Sequence, residues 1–175
     1  MRAVQLVAPG KVEYVETPKP ALKPGYALVR TKMLSLCGSD VHMAYYDHPE
    51  AYPQKPGVTG HEMIGVVEAV DARDHNLKVG DVALTLVPYQ EGMAEYYLAP
   101  ADDVLLLPND TCPLEHFLMA QQLGTVIYAC KRMPNVMGKD VVVIGQGSGG
   151  LFFDAMCRRM GAERVIGIDL MPARV

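Results

Sequence analysis

The sequence predicts a mixed fold, β followed by α/β. Residues 1–110 read as a barrel or sandwich of short strands, and residues 111–175 as linker helices and the first β-α-β unit of a parallel sheet. Up to Pro108, short β-like runs are separated by turns rich in Pro and Gly. Beyond it, apolar residues recur at helical spacing. Val141 to Ile144 is then a continuous apolar run, as in a strand covered on both faces, and a glycine-rich turn follows at once.

The elements follow in order. Met1–Val7 and Lys11–Val15 flank Pro9-Gly10, a hairpin-like turn. Tyr26–Leu34, Met63–Val70, Val82–Leu86, Ala94–Leu98 and Val104–Leu107 are the remaining strands of the first part. Pro113 suits the first turn of a helix, with Asp110 or Thr111 placed to cap it. A second helix over 122–132 stops before Pro134, because the residue preceding a proline is driven out of helical conformation. After the strand Val141–Ile144 come a helix from Gly149 to Met160, with Gly161 as its stop, and a strand from Arg164 to Asp169. A doubly wound sheet needs about six strands, and only two are present, so the sequence reads as an incomplete two-domain protein. It contains no internal repeat and no low-complexity linker.

Bulk properties exclude several classes. Half of the 175 residues are apolar and 21% are charged, which is ordinary globular composition. A formal net charge of −4 argues against nucleic-acid and anionic-membrane partners. No apolar run approaches the ~18 residues of a membrane helix, and the N-terminus alternates like a strand rather than a signal peptide. The four cysteines, Cys37, Cys112, Cys130 and Cys157, form no CxxC pair and are expected to be reduced thiols in the cytoplasm. Cys112, Cys130 and Cys157 lie among apolar residues and are expected to pack. His48, His75 and His116 have no motif around them.

Two constellations carry chemistry. The first is Gly145-Gln146-Gly147-Ser148-Gly149-Gly150, a G-x-G-x-x-G pattern between a buried strand and a helix. Gly145 permits the tight turn, Gly147 lets the backbone approach a pyrophosphate, and Gly150 lets helix and strand pack closely. Asp169 lies 19 residues beyond Gly150, at the end of the next strand, where a carboxylate accepts from a ribose 2′-hydroxyl. The second is Cys37-Gly38-Ser39-Asp40-Val41-His42 together with Gly60-His61-Glu62. Thiolate and imidazole are good zinc ligands, a carboxylate makes a third, and catalytic zinc keeps one position open.

Together these stretches resemble the medium-chain dehydrogenase/reductase family. The resemblance rests on C-x-S-D-x-H from Cys37, G-H-E-x-x-G from Gly60 to Gly65, G-D-V at Gly80–Val82, A-E-Y at Ala94–Tyr96 and the glycine loop. It implies a GroES-like β-barrel catalytic domain followed by the start of an NAD-binding Rossmann domain. It further implies that Cys37 and His61 are zinc ligands and that Asp40 orients a ligand. Ser39 would take the substrate's proton and pass it by way of the cofactor ribose toward His42, and Thr125 would contact the nicotinamide. The implied reaction is alcohol oxidation: the hydroxyl is acidified at zinc, and hydride passes to NAD.

The chain departs from the family pattern in three places. Between Val82 and Ala94 there is no cysteine, so the structural-zinc lobe is absent and no structural zinc is expected. Where a further ligand usually stands there is Gln121, a feeble donor. This shifts the third ligand to Glu62, as in the polyol-dehydrogenase branch. The chain also stops before most of the coenzyme domain. The expectation is an N-terminal fragment, inactive alone, of a zinc-dependent secondary-alcohol or polyol dehydrogenase that is a homo-oligomer at full length. The alternatives are a zinc-free quinone or enoyl reductase, and a non-catalytic GroES-like module. Fold alone does not name the alcohol.

Overall fold

The computed structural model describes residues 1–46, 48–73, 76–86, 91–108 and 112–175. His75, Asp110 and Thr111 lie outside the described residues. The chain divides into two compact units, Met1–Leu118 and Met119–Val175.

In the first unit, β1 (Arg2–Ala8) and β2 (Lys11–Glu16) pair antiparallel around Pro9-Gly10. Gly10 sits at φ +68°, which the two-residue turn requires and a side chain resists. Strands β3 (Tyr26–Ser35), β4 (Glu62–Asp71), β5 (Val82–Thr85), β6 (Tyr96–Pro100) and β7 (Val104–Leu106) form an antiparallel sheet in the order β6-β3-β4-β5-β7. The β1–β2 hairpin adjoins the loop before β6 through the bridge Ala3↔Ala94. Each predicted strand is present within about two residues of its expected ends.

Alternation along these strands builds two cores. Ala27, Val29, Met63, Val67, Ala83, Tyr97, Ala99 and Val104 form one. Ile64 and Leu84 form the other, with Leu114, Phe117 and Leu118 of α2 (Leu114–Leu118). Sequence neighbours Met63 and Ile64 therefore face opposite ways, as do Ala83 and Leu84. Burial of each such side chain is worth roughly 1.5–3 kcal/mol. Gly65 lets β3 and β4 approach: a Cβ there would lie 2.3 Å from Val29 Cγ1 and 2.7 Å from Arg30 O. The Tyr97 hydroxyl pairs with Thr85 Oγ1 at 2.7 Å, and burial pushes the phenol above its usual range.

Between β3 and β4 lies a helix the sequence expectation lacks, α1 (Gly38–Ala44). Its seven residues begin with glycine and have no apolar stripe.

The second unit contains α3 (Ala120–Cys130), β8 (Asp140–Ile144), α4 (Ser148–Arg159) and β9 (Arg164–Ile168). β8 and β9 pair in parallel, from Asp140↔Arg164 to Ile144↔Ile168, with α4 packed against both and against α3. Helix α4 stops at Gly161, φ +86°. There Gly161 N–H donates to Arg158 O (3.0 Å) and Ala162 N–H to Cys157 O (3.1 Å), satisfying carbonyls the helix leaves free. Among the described residues, no helix is long and apolar enough to cross a membrane.

Two expectations are corrected. The run Val141–Ile144 is not buried on both faces: Val142 and Ile144 are exposed, as are Ile166 and Ile168 on β9. Helix α4 covers one face of the pair, and the other lies bare within this unit. Cys112 is exposed rather than packed, because it precedes α2 instead of lying on an apolar face. Cys130 and Cys157 are buried as expected, and burial raises both thiols.

Candidate functional site

The last rung of the β3–β4 ladder pairs Ser35 with Glu62. Two residues past Ser35 the chain reaches Cys37, which precedes α1; one residue before Glu62 stands His61. Strand register thus brings segments about 25 residues apart side by side. The Cys37 thiol, one His61 ring nitrogen and one Glu62 carboxylate oxygen lie within 4.8 Å of one another. The structure brings together the ligands expected from sequence.

Asp40 ties the two segments. It is 3% exposed, and its Oδ2 accepts from Cys37 N–H at 2.8 Å while Oδ1 accepts from Gly60 N–H at 3.0 Å. Oδ1 also faces His61 Nδ1 at 3.5 Å. Helix α1 makes this possible, since it sets Asp40 one turn beyond Cys37. Gly60 adopts φ +89°, left-handed backbone that favours glycine.

The cluster has the open valences of a cation site. Glu62 is 2% exposed; its Oε2 accepts from Ser35 Oγ, while Oε1 is buried without a hydrogen-bond partner. His61 Nδ1 likewise makes no hydrogen bond. Leaving a buried carboxylate oxygen unpaired is costly, and a cation removes the cost. Thiolate, imidazole and carboxylate suit zinc.

Ser39 lies exposed in the first turn of α1. His42 is exposed in its last turn, with its ring 6.4 Å from that of Tyr46. A largely apolar cavity of about 840 Å³ opens elsewhere on this unit, lined by Val4, Thr31, Leu34, Leu36 and Met93 among others. Cys37, His61 and Glu62 do not line it.

In the second unit Gly145 and Gly150 meet the steric demands that their spacing predicts. Gly145 has φ +94°. A Cβ on Gly150 would meet Gly145 O at 1.8 Å, whereas one on Gly147 would meet nothing within 4 Å. Gly147 is the N-cap residue of α4. Asp169 Oδ2 accepts from Gln146 N–H at 2.7 Å, and Oδ1 from Met171 N–H at 2.8 Å. Arg174 Nη1 lies 3.6 Å from Oδ2. Bonds from Met171 and Gln146, then the nearby Arg174 charge, hold the Asp169 carboxyl below its ordinary range. Thr125 is exposed on α3 and donates back to Gln121 O at 3.2 Å.

Sequence reasoning missed Ser35 and Gln146. Ser35 carries no motif signal; only the strand register reveals its partner. Gln146 fills an unspecified position of the glycine pattern, yet its side chain is buried and its amide donates to Val143 O at 3.2 Å.

Comparison with known proteins adds independent support. The alcohol dehydrogenase GroES-like domain family matches residues 23–109. A protein of Arthroderma otae named "Probable D-xylulose reductase A" is 32% identical, over 94% of this chain and 54% of its own length. Among solved structures, an alcohol dehydrogenase from Thermus sp. ATN1 superposes with TM-score 0.81 at 26% identity, covering 99% of this chain and 59% of that one. The quinone oxidoreductase of Thermus thermophilus superposes with TM-score 0.75 at 28% identity, covering 100% and 55%. The chain spans about half the length of the relatives it matches. Residues 23–109 belong to the alcohol dehydrogenase GroES-like domain family, and the whole chain shares its fold with zinc-binding and alcohol dehydrogenases.

Proposed function

We propose that the complete protein is a zinc-dependent oxidoreductase that transfers hydride from a secondary alcohol or polyol to NAD. The observation that carries this reading is the convergence of Cys37, His61 and Glu62 around a buried carboxylate oxygen that has no partner. The D-xylulose reductase relative favours a polyol. Zinc supplies Lewis acidity that eases removal of an alcohol proton, and nicotinamide supplies the hydride acceptor.

This chain's residues then divide the work. Cys37, His61 and Glu62 would hold one zinc, and the stretch between Val82 and Ala94, without cysteine, would hold no structural zinc. Asp40, whose Oδ1 faces His61 Nδ1 at 3.5 Å, would orient the imidazole. Ser39 would take the substrate proton and pass it by way of the cofactor ribose toward His42, which is exposed on α1. Gly145, Gly147 and Gly150 would shape the pyrophosphate cradle, Thr125 would contact the nicotinamide, and Asp169 would favour NAD.

Metal analysis of four variants of the complete protein tests this. Cys37→Ala and His61→Ala should abolish zinc and activity, Glu62→Gln should weaken zinc about 10- to 100-fold, and Gln121→Ala should leave zinc near parental content. Full zinc in Glu62→Gln with loss in Gln121→Ala would refute the ligand set. The structural likeness to a quinone oxidoreductase supports a second, zinc-free reading. That reading leaves Glu62 Oε1 unpaired, and a parent protein that reduces quinones without zinc would establish it.

A further inference from the structure

We propose that Ser35 is a positioning residue that makes Glu62 a fixed, one-oxygen ligand of the metal. This rests on the reading that Cys37, His61 and Glu62 hold zinc. The two oxygens of the Glu62 carboxylate have different surroundings: Oε2 accepts from Ser35 Oγ, whereas Oε1 is buried and has no partner. The oxygen that is committed and the oxygen that is free are therefore distinguished by a single hydroxyl.

Backbone register enforces the contact. Ser35 and Glu62 are direct partners on the last rung of β3 and β4, where facing Cβ atoms stand only about 5 Å apart. Neither side chain has to reach, and neither easily turns away. Ser35 also sits two residues before Cys37, and Glu62 one residue after His61. Ser35 thus joins the two ligand-bearing segments from the strand side, as Asp40 joins them through the backbone N–H groups of Cys37 and Gly60. The two ties act on different ligands: Asp40 fixes the Cys37–His61 side, and Ser35 fixes the carboxylate. With Oε2 accepting from Ser35, Oε1 is the oxygen left without a partner, so Glu62 would favour binding through that one oxygen. Without the hydroxyl, the carboxylate is free to rotate and to bind through either oxygen or both.

The test compares Ser35→Thr with Ser35→Val in the complete protein, since these side chains have the same shape and differ in the hydroxyl. Ser35→Ala and Glu62→Gln complete the set. Zinc affinity is measured by competition with a chromophoric chelator, and coordination by the visible d–d bands after cobalt(II) replaces zinc. Ser35→Thr should keep the parental spectrum and affinity. Ser35→Val and Ser35→Ala should bind zinc about 10- to 100-fold more weakly and show altered cobalt bands, the loss usual when a ligand's hydrogen-bond partner is removed. Parental spectra and affinities in Val and Ala, with only a lowered melting temperature, would show that the hydroxyl merely stabilises the fold and would overturn the proposal. So would folding of the Thr variant alone. If Glu62→Gln also binds zinc as the parent does, the ligand assignment itself has failed; if only the Ser35 variants match the parent, that assignment stands and the role of Ser35 falls.

Discussion

Two aspartates organise the functional segments, each by accepting backbone N–H groups. Asp40 joins Cys37 to Gly60, and Asp169 joins the glycine loop at Gln146 to the turn at Met171. The bonds to Asp169 favour its ionised form, so its folded-state pKa lies below the ordinary value of 3.8. A depressed carboxylate stabilises the fold fully above its unfolded pKa, and that contribution disappears as pH falls through the folded value. The second unit should therefore lose stability on acidification below about pH 4. Asp169→Asn should flatten that acid limb in melting curves recorded from pH 7 to pH 2. A residual slope should remain from Asp140, whose carboxyl is depressed by its bond to Arg164. An acid limb identical to the parent's would show that the bonds to Asp169 do not persist in solution. If Asp169 selects NAD as proposed, the same variant of the complete protein should narrow the preference for NAD over NADP, because a carboxylate repels a 2′-phosphate.

At the scale of elements, the glycine loop separates folding from binding. Gly150→Ala places a Cβ 1.8 Å from Gly145 O, backbone that cannot yield without moving α4 off β8, and should cost about 2 kcal/mol or more. Gly147→Ala meets nothing within 4 Å at an ordinary φ of −74°, and should change stability by no more than about 1 kcal/mol. On the proposed cofactor reading Gly147 is where a pyrophosphate would approach, so its alanine variant should bind NAD poorly while melting almost normally. Calorimetry of both variants with cofactor titration checks this; two equal losses of stability would refute it. The steric demands at Gly145 and Gly150 were legible in sequence because backbone geometry alone sets them. The strands were legible too, since alternation of apolar residues reports which face is buried. Helix α1 was not: Gly-Ser-Asp-Val-His-Met-Ala makes barely two turns, and bonds from Asp40 rather than an apolar stripe hold it in place. The Ser35–Glu62 contact was equally hidden, because partners 27 residues apart meet only once β3 and β4 take their register.

At the scale of the molecule, the two units are unequally finished. In the first, both faces of the central sheet carry a core. In the second, the β8–β9 pair has α4 on one face while Val142, Ile144, Ile166 and Ile168 stand exposed on the other, Ile144 at 85%. A continuous apolar run suits a strand covered from both sides, and an uncovered parallel pair offers contiguous apolar surface and open edges that favour association. The relatives this chain matches are about twice its length, and a doubly wound dinucleotide sheet uses about six strands where β8 and β9 supply two. The 175-residue chain, purified as it stands, should associate in a concentration-dependent way and show no appreciable turnover of alcohols or polyols with NAD. Light scattering coupled to size exclusion, and a polyol panel followed by NADH absorbance, measure the two. Replacing Ile144 and Ile168 with Lys should reduce association without restoring turnover, because charge on the bare face repels neighbours yet adds no cofactor site. A monodisperse parent chain with robust turnover would mean that β8, β9 and the glycine loop suffice for catalysis, and the half-length reading of the active molecule would have to be abandoned.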